Sequence, residues 1–268
     1  MKIAYSNLSS PEWSMEEVFR YGADFGFDGV EIRLLDGNVI PSTLETETRG
    51  KIKRLSAASG VKIVGLGAST RFATHDASIR RNNVEELLRY IDLARELEVP
   101  LVRTFGGGVR PGCESTSDAV RYVAEGLNEV AKHAEEAGVT VALETHDEFS
   151  HSAMVRDVML QVESPAIGVI WDVHHPFRMG ETVEETWENL RDRLVHVHLK
   201  DARRKGEDWE LVVFGEGEVP VRQVVRKMME ENYDETLCVE WERKWHPEIE
   251  DAKTALPKHV AKLREYLA

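Results

Sequence analysis

Four short apolar segments carry the strongest structural signal of this chain: VALE (141–144), IGVIWD (167–172), LVHVH (194–198) and LCVE (237–240). Each is a run rich in apolar, β-branched residues that ends on a polar residue, and these end residues are Glu144, Asp172, His198 and Glu240. They are separated by 28, 26 and 42 residues, intervals that leave room for a strand, a helix and two connections. Four successive parallel strands would therefore deliver these side chains to one end of a common sheet.

Strand-like runs alternate with amphipathic stretches along the whole chain. The predicted strands are 2–8, 29–34, 62–68, 101–106, 140–146, 167–173, 194–200 and 236–242. The predicted helices are 14–25, 45–59, 79–98, 116–137, 152–163, 182–192, 221–232 and about 249–267. The predicted helix caps are Ser14 with Glu17, and Ser152, at helix starts, and Gly26, Gly60 and Gly138 at helix ends.

Eight repeats of strand and helix predict an α/β fold, a single-domain (β/α)8 TIM barrel over residues 1–268. The length agrees, since such barrels take roughly 250 residues. An open doubly wound sheet would place a glycine-rich phosphate turn after the first strand, where this chain has SNLSSPEWS (6–14). The longest irregular segment, 202–220, contains the run WELVVFG (209–215) and predicts a hairpin-like insertion over the barrel mouth.

Composition narrows the class of protein. The net charge of -14 argues against nucleic acid as a partner, because nucleic-acid binders carry basic patches. The chain has no apolar run near the roughly 18 residues that span a bilayer, and the N-terminal MKIAYSNLSS leads directly into a strand. Two cysteines, Cys113 and Cys238, make no disulfide framework. We expect a soluble, cytoplasmic protein without a membrane partner.

Strand parity assigns the polar residues to the barrel interior. The residues predicted to face inward are Ala142, Glu144, His146, His196, His198, Cys238, Glu240 and Glu242. The residues predicted to face the helices are Val141, Leu143, Val195, Val197, Leu199, Leu237 and Val239. Carboxylates crowded into one buried space require a compensating cation. One divalent metal ion held by Glu144, Asp172, His198 and Glu240 would supply it, with Mn²⁺ or Mg²⁺ favoured and Zn²⁺ or Co²⁺ left open.

Five motifs in order along the chain resemble the xylose isomerase-like superfamily of sugar isomerases and epimerases: ALETH (142–146), WDVHH (171–175), HVHLKD (196–201), FGEGEVP (214–220) and VEWE (239–242). The resemblance implies the same four metal ligands and a sugar or polyol-derived substrate. It also implies that His175 contacts the substrate and that Arg204 clamps it. His146 shares a face with Glu144 and is expected either to contact the substrate or to orient that ligand.

Such a metal site predicts a reaction in which a proton α to a carbonyl group is removed and an enediolate is formed. Glu144 and Glu240 would act as the acid/base pair, with return of the proton to the opposite face for epimerisation or to the neighbouring carbon for isomerisation. Loss of water from an inosose or a dehydroshikimate type of substrate is the enzymatic alternative. A non-catalytic metal- and sugar-binding barrel is the alternative of another class, and a homo-oligomer stays open.

A related branch of the superfamily repairs abasic DNA and uses additional histidines after strands three, four and seven. This chain departs from it, because strand four ends in TFGGG (104–108) and no second histidine follows His198 before the hairpin. Three lesser features remain. Lys200 is expected to be an ion-pair partner, with Asp201 as the candidate. Glu31 with Arg33 would form a polar wall or an ion pair, and Gly106–Gly108 would form a phosphate site with Arg71, Arg103 and Arg204.

Overall fold

Eight parallel strands close into a barrel in the computed structural model, which describes residues 1–108 and 115–268. The barrel strands are β1 (Lys2–Ser6), β2 (Gly29–Ile32), β3 (Lys62–Arg71), β4 (Leu101–Phe105), β5 (Thr140–Glu144), β6 (Ile167–Asp172), β7 (Leu194–Leu199) and β8 (Thr236–Val239). Each strand pairs with its neighbours in the chain, and β8 closes the barrel on β1 with Val239 opposite Tyr5. The predicted (β/α)8 barrel is confirmed. Cys113 lies outside the described residues.

Helices follow the strands around the outside of the barrel. They are α1 (Met15–Phe25), α2 (Thr46–Ser59), α3 (Ala77–Leu97), α4 (Thr116–Ala137), α5 (Ser152–Met159), α6 (Val183–Leu190), α7 (Val221–Glu230) and α8 (Ala252–Leu267). Shorter pieces are the helix His174–Arg178 and the 3-10 turns Asn7–Ser9, Asp147–Ser150 and Arg191–Arg193. Within residues 1–108 and 115–268, no helix combines the length and apolar character needed to cross a bilayer.

Local capping interactions explain where most helices begin and end. Ser14 and Glu17 form a reciprocal capping box at the start of α1. The glycines at the ends of α1, α2 and α4 adopt the left-handed conformation, as predicted for Gly26, Gly60 and Gly138. The prediction for Ser152 is wrong, because His151 is the N-cap residue and Ser152 is the first helical residue. The Ser152 hydroxyl donates instead to Glu181.

The apolar core has an outer and an inner part. The outer part lies between strands and helices and contains six of the residues predicted to face outward: Val141, Leu143, Val197, Leu199, Leu237 and Val239. Val195 was expected on the same face but packs inside, against Ala142 and Ile170. The physical reason is an irregularity in β7: Leu194 pairs with Val169 and His196 pairs with Ile170, so Val195 is an extra residue that shifts the parity of the strand.

A two-stranded hairpin follows β7 and lies at the carboxyl end of the barrel. Its strands are Asp201–Lys205 and Asp208–Val212, which pair antiparallel and begin one residue before the predicted insertion. Trp209 on the hairpin packs edge-on against His174 at 5.1 Å and against Phe177 at 5.9 Å between ring centroids. The hairpin therefore covers part of the barrel mouth.

Candidate metal centre

The four strand-end residues meet at the carboxyl end of the barrel. Glu144 and Asp172 are the last residues of β5 and β6, His198 is the last but one of β7, and Glu240 directly follows β8. Glu144, Asp172 and His198 are fully buried, and Glu240 is 3% exposed. One potential ligand atom from each residue lies within 4.8 Å of all the others. This is the distance range expected of groups that share one metal ion.

The imidazole of His198 lies at the centre of this group. Its Nδ1 is 2.6 Å from Glu144 Oε1 and 3.5 Å from Glu240 Oε1. Its Nε2 is 2.9 Å from Glu31 Oε2. The other oxygen of Glu144 accepts a hydrogen bond from Arg103 Nη1 at 2.8 Å. Both nitrogens of His198 thus face carboxylates at hydrogen-bonding distance.

Lys200 also belongs to the site. Its Nζ is 2.8 Å from Asp172 Oδ2, 2.6 Å from Glu240 Oε2 and 2.6 Å from Glu242 Oε1. The expected pair with Asp201 is wrong, because Asp201 accepts backbone N–H groups of the loop that follows the hairpin. Lys200 therefore balances the charge of the cluster from the side of the barrel mouth.

The crowding of like charges perturbs these groups in the metal-free protein. Burial raises the pKa of Asp172, and the charges of Glu240 and Glu144 raise it further against the opposing effect of Lys200. Burial alone would raise the pKa of Glu240, but Lys200 and His198 outweigh it and lower the pKa. Burial would lower the pKa of His198, yet the surrounding carboxylates raise it well above its usual value. Without a metal ion, the surrounding carboxylates therefore favour the cationic form of the His198 imidazole.

The side chains present fit a divalent cation. Asp172 Oδ2 and Glu240 Oε2 are buried and, among the described residues, have no hydrogen bond of normal geometry even though Lys200 is close. A buried carboxylate oxygen without such a partner is costly, and a bound cation removes that cost. Three carboxylates and one imidazole are ligands that Mn²⁺, Mg²⁺ and Zn²⁺ all accept.

A cavity of about 930 Å³ opens above this cluster. Its lining includes His146, His174, His175, Lys200, Arg204, Trp209 and Glu242. The ring of His175 lies on the ring of His146 at 4.4 Å between centroids, and its Nε2 is 3.5 Å from Asp172 Oδ2. Arg204 lies on the hairpin, with its guanidinium 4.9 Å from the ring centre of Trp209. The structure thus brings the three predicted substrate-binding residues to one cavity.

The contacts of two charged residues in the barrel wall exclude one sequence-based expectation each: the ion pair of Arg33 with Glu31, and the phosphate contact of Arg103. Arg33 donates to the Gly67 carbonyl at 2.6 Å and to Ser69 Oγ at 2.7 Å, and in the described structure it forms no ion pair with Glu31. Arg103 is 3% exposed and pairs with Glu144, so it is not available to a phosphate group. Each had a signal in the sequence, a charged residue inside an apolar strand run, but that signal does not identify the partner that the structure shows.

Comparison with known proteins identifies the family. Residues 19–266 match the family model for the xylose isomerase-like TIM barrel, and the chain belongs to this family. Fructoselysine 3-epimerase of Shigella flexneri is 24% identical over 251 residues, which is 90% of each chain. Inosose dehydratase of Lacticaseibacillus casei is 22% identical over 169 residues, 57% of this chain and 55% of the relative. The crystal structure of IOLI protein with a binding zinc atom shares the fold, with a TM-score of 0.85 at 17% identity over 100% of this chain and 98% of that one.

Proposed function

We propose that this protein is a divalent-metal-dependent sugar epimerase or isomerase that removes a proton α to a carbonyl group and passes through an enediolate. The observation that carries the proposal is the cluster of Glu144, Asp172, His198 and Glu240, with ligand atoms within 4.8 Å of one another beneath a large cavity. Membership of the xylose isomerase-like family and the likeness to an epimerase over 90% of the chain support it.

These four residues would hold one metal ion, with Mn²⁺ or Mg²⁺ favoured by the oxygen-rich set and Zn²⁺ or Co²⁺ as alternatives. When bound, the cation supplies Lewis acidity that makes the α-proton of a hydroxycarbonyl compound removable. The protein supplies the positions of the ligands. Arg103 holds one oxygen of Glu144 by a hydrogen bond. The Lys200 ammonium lies 2.6 Å from Glu240 Oε2, and its charge stabilises that carboxylate in the buried site.

Glu144 and Glu240 are the proposed acid/base pair. They extend from β5 and β8, which β6 and β7 separate, so the two carboxylates approach His198 Nδ1 from different sides. One carboxylate can remove a proton from the substrate while the other returns it to the opposite face or to the neighbouring carbon. Opposite-face return gives the epimer, and return to the neighbouring carbon gives the isomer.

His175, Arg204 and His146 are the proposed substrate-binding residues. His175 is buried next to Asp172 and can donate to a hydroxyl group of the substrate. Arg204 and Trp209 on the hairpin offer a cation and an aromatic face at the cavity wall. His146 contributes the third polar group, and its ring is fixed between Phe105 and His175. A small sugar, free or substituted, fits this lining.

The test is exchange of the α-proton with solvent. Protein loaded with Mn²⁺ or Mg²⁺ is incubated in D₂O with ketoses, aldoses and inososes, the metal is chelated, and ¹H NMR follows the α-proton signal. We expect exchange for at least one ketose. Glu144→Gln and Glu240→Gln should each lower its rate by at least about 100-fold, because each removes a general acid/base group.

The control variant is Glu129→Gln, an exposed position on α4, which should exchange at the wild-type rate. Metal content is measured for all variants, so that loss of the ion is distinguished from loss of the base. A Gln variant that retains metal and still exchanges the proton would remove that glutamate from the acid/base pair. No exchange from any substrate by a metal-loaded wild-type protein would favour the non-catalytic metal- and sugar-binding barrel.

A dehydratase is the second candidate, favoured by the likeness to inosose dehydratase. The same enediolate loses water when the neighbouring carbon carries a hydroxyl group, so the product decides between the two reactions. A dehydrated product from an inosose, without an epimer, would replace the epimerase proposal.

For either reaction we propose a single-domain cytoplasmic protein over residues 1–268 that acts on a small sugar or polyol-derived molecule, without nucleic acid or membrane as a partner.

A further inference from the structure

A further buried carboxylate lies next to the proposed metal centre. Glu31 on β2 is fully buried, and its Oε2 is 2.9 Å from His198 Nε2. Ser6 Oγ donates to the other oxygen at 3.5 Å. On the neighbouring strand β3, Gly65 is opposite Glu31, and the absence of a side chain there leaves room for the carboxylate. Buried contacts thus fix the position of the Glu31 side chain.

The two nitrogens of His198 have different environments. Nδ1 faces Glu144 and Glu240, which together with Asp172 form the oxygen-rich group. Nε2 faces a single carboxylate, that of Glu31. A histidine that binds a metal through one nitrogen commonly donates the N–H of its other nitrogen to a carboxylate, which fixes the tautomer and the ring orientation.

We propose that Glu31 is the positioning residue of the metal centre. It accepts the Nε2–H of His198 and so holds the ring with the Nδ1 lone pair directed at the group formed by Glu144, Asp172 and Glu240. The inference rests on the proposed function, since it assumes that these residues bind a metal ion. Glu31 itself contacts neither the substrate nor the ion.

A competing arrangement would place a second metal ion lower in the barrel. Potential ligand atoms of Glu31, His196, His198 and Cys238 also lie within 4.8 Å of one another. However, a metal ion bound to His198 Nε2 would replace the proton that Glu31 accepts at 2.9 Å. His198 Nε2 therefore cannot take part in both arrangements. The proposed arrangement predicts one metal ion per chain, and the competing arrangement predicts two.

The experiment compares metal binding by the wild-type protein with binding by Glu31→Leu and Glu31→Gln. The metal-free proteins are titrated with Mn²⁺, and free Mn²⁺ is followed by electron paramagnetic resonance. We expect Glu31→Leu to weaken binding by about 10- to 100-fold, because nothing fixes the ring. Glu31→Gln should bind more tightly than Glu31→Leu, because its amide oxygen can still accept from Nε2. Equal affinity of wild type and Glu31→Leu would overturn the inference.

The matched control is Cys238→Ser, which changes a buried residue of the same layer that does not accept from His198. We expect unchanged affinity and one ion per chain, measured by elemental analysis of dialysed protein. Two ions per chain, with one lost in Cys238→Ser, would overturn the inference in favour of the lower site. A wild-type protein that binds no divalent ion would overturn the proposed function and the inference together.

The tautomer of His198 can be measured in the wild-type protein, so this test does not require a variant that folds. In Zn²⁺-loaded wild-type protein with ¹⁵N-labelled histidine, the ring signals of His198 should show a proton on Nε2 and none on Nδ1. The opposite tautomer would overturn the inference. Circular dichroism of the two Glu31 variants establishes that any loss of affinity occurs in folded protein.

Discussion

Among single residues, burial determines what an ion pair contributes to stability. The pairs Arg103–Glu144 and Arg226–Glu230 have the same N–O distance of 2.8 Å. Their side chains are 4% and 0% exposed in the first pair but 79% and 55% exposed in the second. Water screens the exposed pair, whereas removal of one partner of the buried pair leaves an uncompensated charge in the barrel.

We therefore expect Arg103→Met to lower the free energy of unfolding of the metal-free protein by about 3–5 kcal/mol. Arg226→Met, the exposed counterpart, should leave it within the error of the measurement. Urea unfolding in the presence of a chelator measures both values. Adding Glu144→Gln to Arg103→Met should recover part of the loss, because the orphaned charge is removed. Equal losses in the two single variants would contradict this account.

Among the structural elements, the loop FGEGEVP (214–220) depends on one carboxylate. Asp201 at the start of the hairpin accepts the backbone N–H groups of Gly215, Gly217 and Val219 at 2.8, 3.1 and 3.2 Å. Gly215 adopts a positive φ of 87°. At Gly217, a Cβ atom would lie 2.2 Å from Asp201 Oδ1 and 2.5 Å from the Ala202 carbonyl oxygen. The loop and the hairpin thus form one unit.

Gly217→Ala should destabilise the protein by about 1–3 kcal/mol, because the added methyl group displaces Asp201 from its N–H donors. Gly50→Ala is the matched control: this glycine lies inside α2, and its new methyl group would meet only the end of the Arg54 side chain. It should stabilise the protein by about 0.5–1 kcal/mol. Chemical unfolding of both variants checks the opposite signs. A Gly217→Ala protein as stable as wild type would show that the loop relaxes freely.

For the whole molecule, a buried histidine links stability to pH. His259 on α8 packs against Phe214 at 4.3 Å and Trp241 at 5.0 Å between ring centroids. It is 1% exposed, and neither ring nitrogen has a hydrogen-bond partner among the described residues. Burial, with a smaller effect of Lys258, lowers the pKa of His259 to about 3. The folded protein therefore holds this residue neutral between the C-terminal helix and the barrel.

The unfolded chain takes up a proton near pH 6.5, whereas the folded chain resists it down to about pH 3. The contribution of His259 to the free energy of unfolding is thus fully present above pH 6.5. It is lost as the pH falls below this value, by about 1.4 kcal/mol per pH unit. His259→Leu should make the pH dependence of the free energy of unfolding shallower by this amount, while the other buried histidines keep their own contributions. Urea unfolding of metal-free protein at pH 7.5 and 5.5 measures it. The control is Val260→Ala, a core truncation on the same helix, which should lower the free energy of unfolding equally at both pH values. If His259→Leu showed the same pH dependence as the wild type, His259 would not be the source of the effect.

Much of the fold and part of the site follow from the order of residues along the chain. Alternation of strand and helix patterns predicts the barrel, because each period reflects which side of an element is buried. The ends of the apolar runs predict Glu144, Asp172, His198 and Glu240 as neighbours, because parallel strands end at the same face. Ser14, Gly26, Gly60 and Gly138 mark helix ends, because their caps involve only nearby backbone.

Pairing between distant strands was decided only in the folded barrel. Glu31 and His198 are 167 residues apart, and Arg103 and Glu144 are 41 apart. Their contacts depend on barrel closure and on the registers of several strands. The irregularity at Val195 likewise reverses a parity that the sequence pattern alone predicts incorrectly. The sequence by itself determined the fold and the residues that converge, because burial leaves a periodic pattern in the local sequence. The partner of each buried charge was decided only by the tertiary structure, because it depends on distances between strands that no local pattern contains.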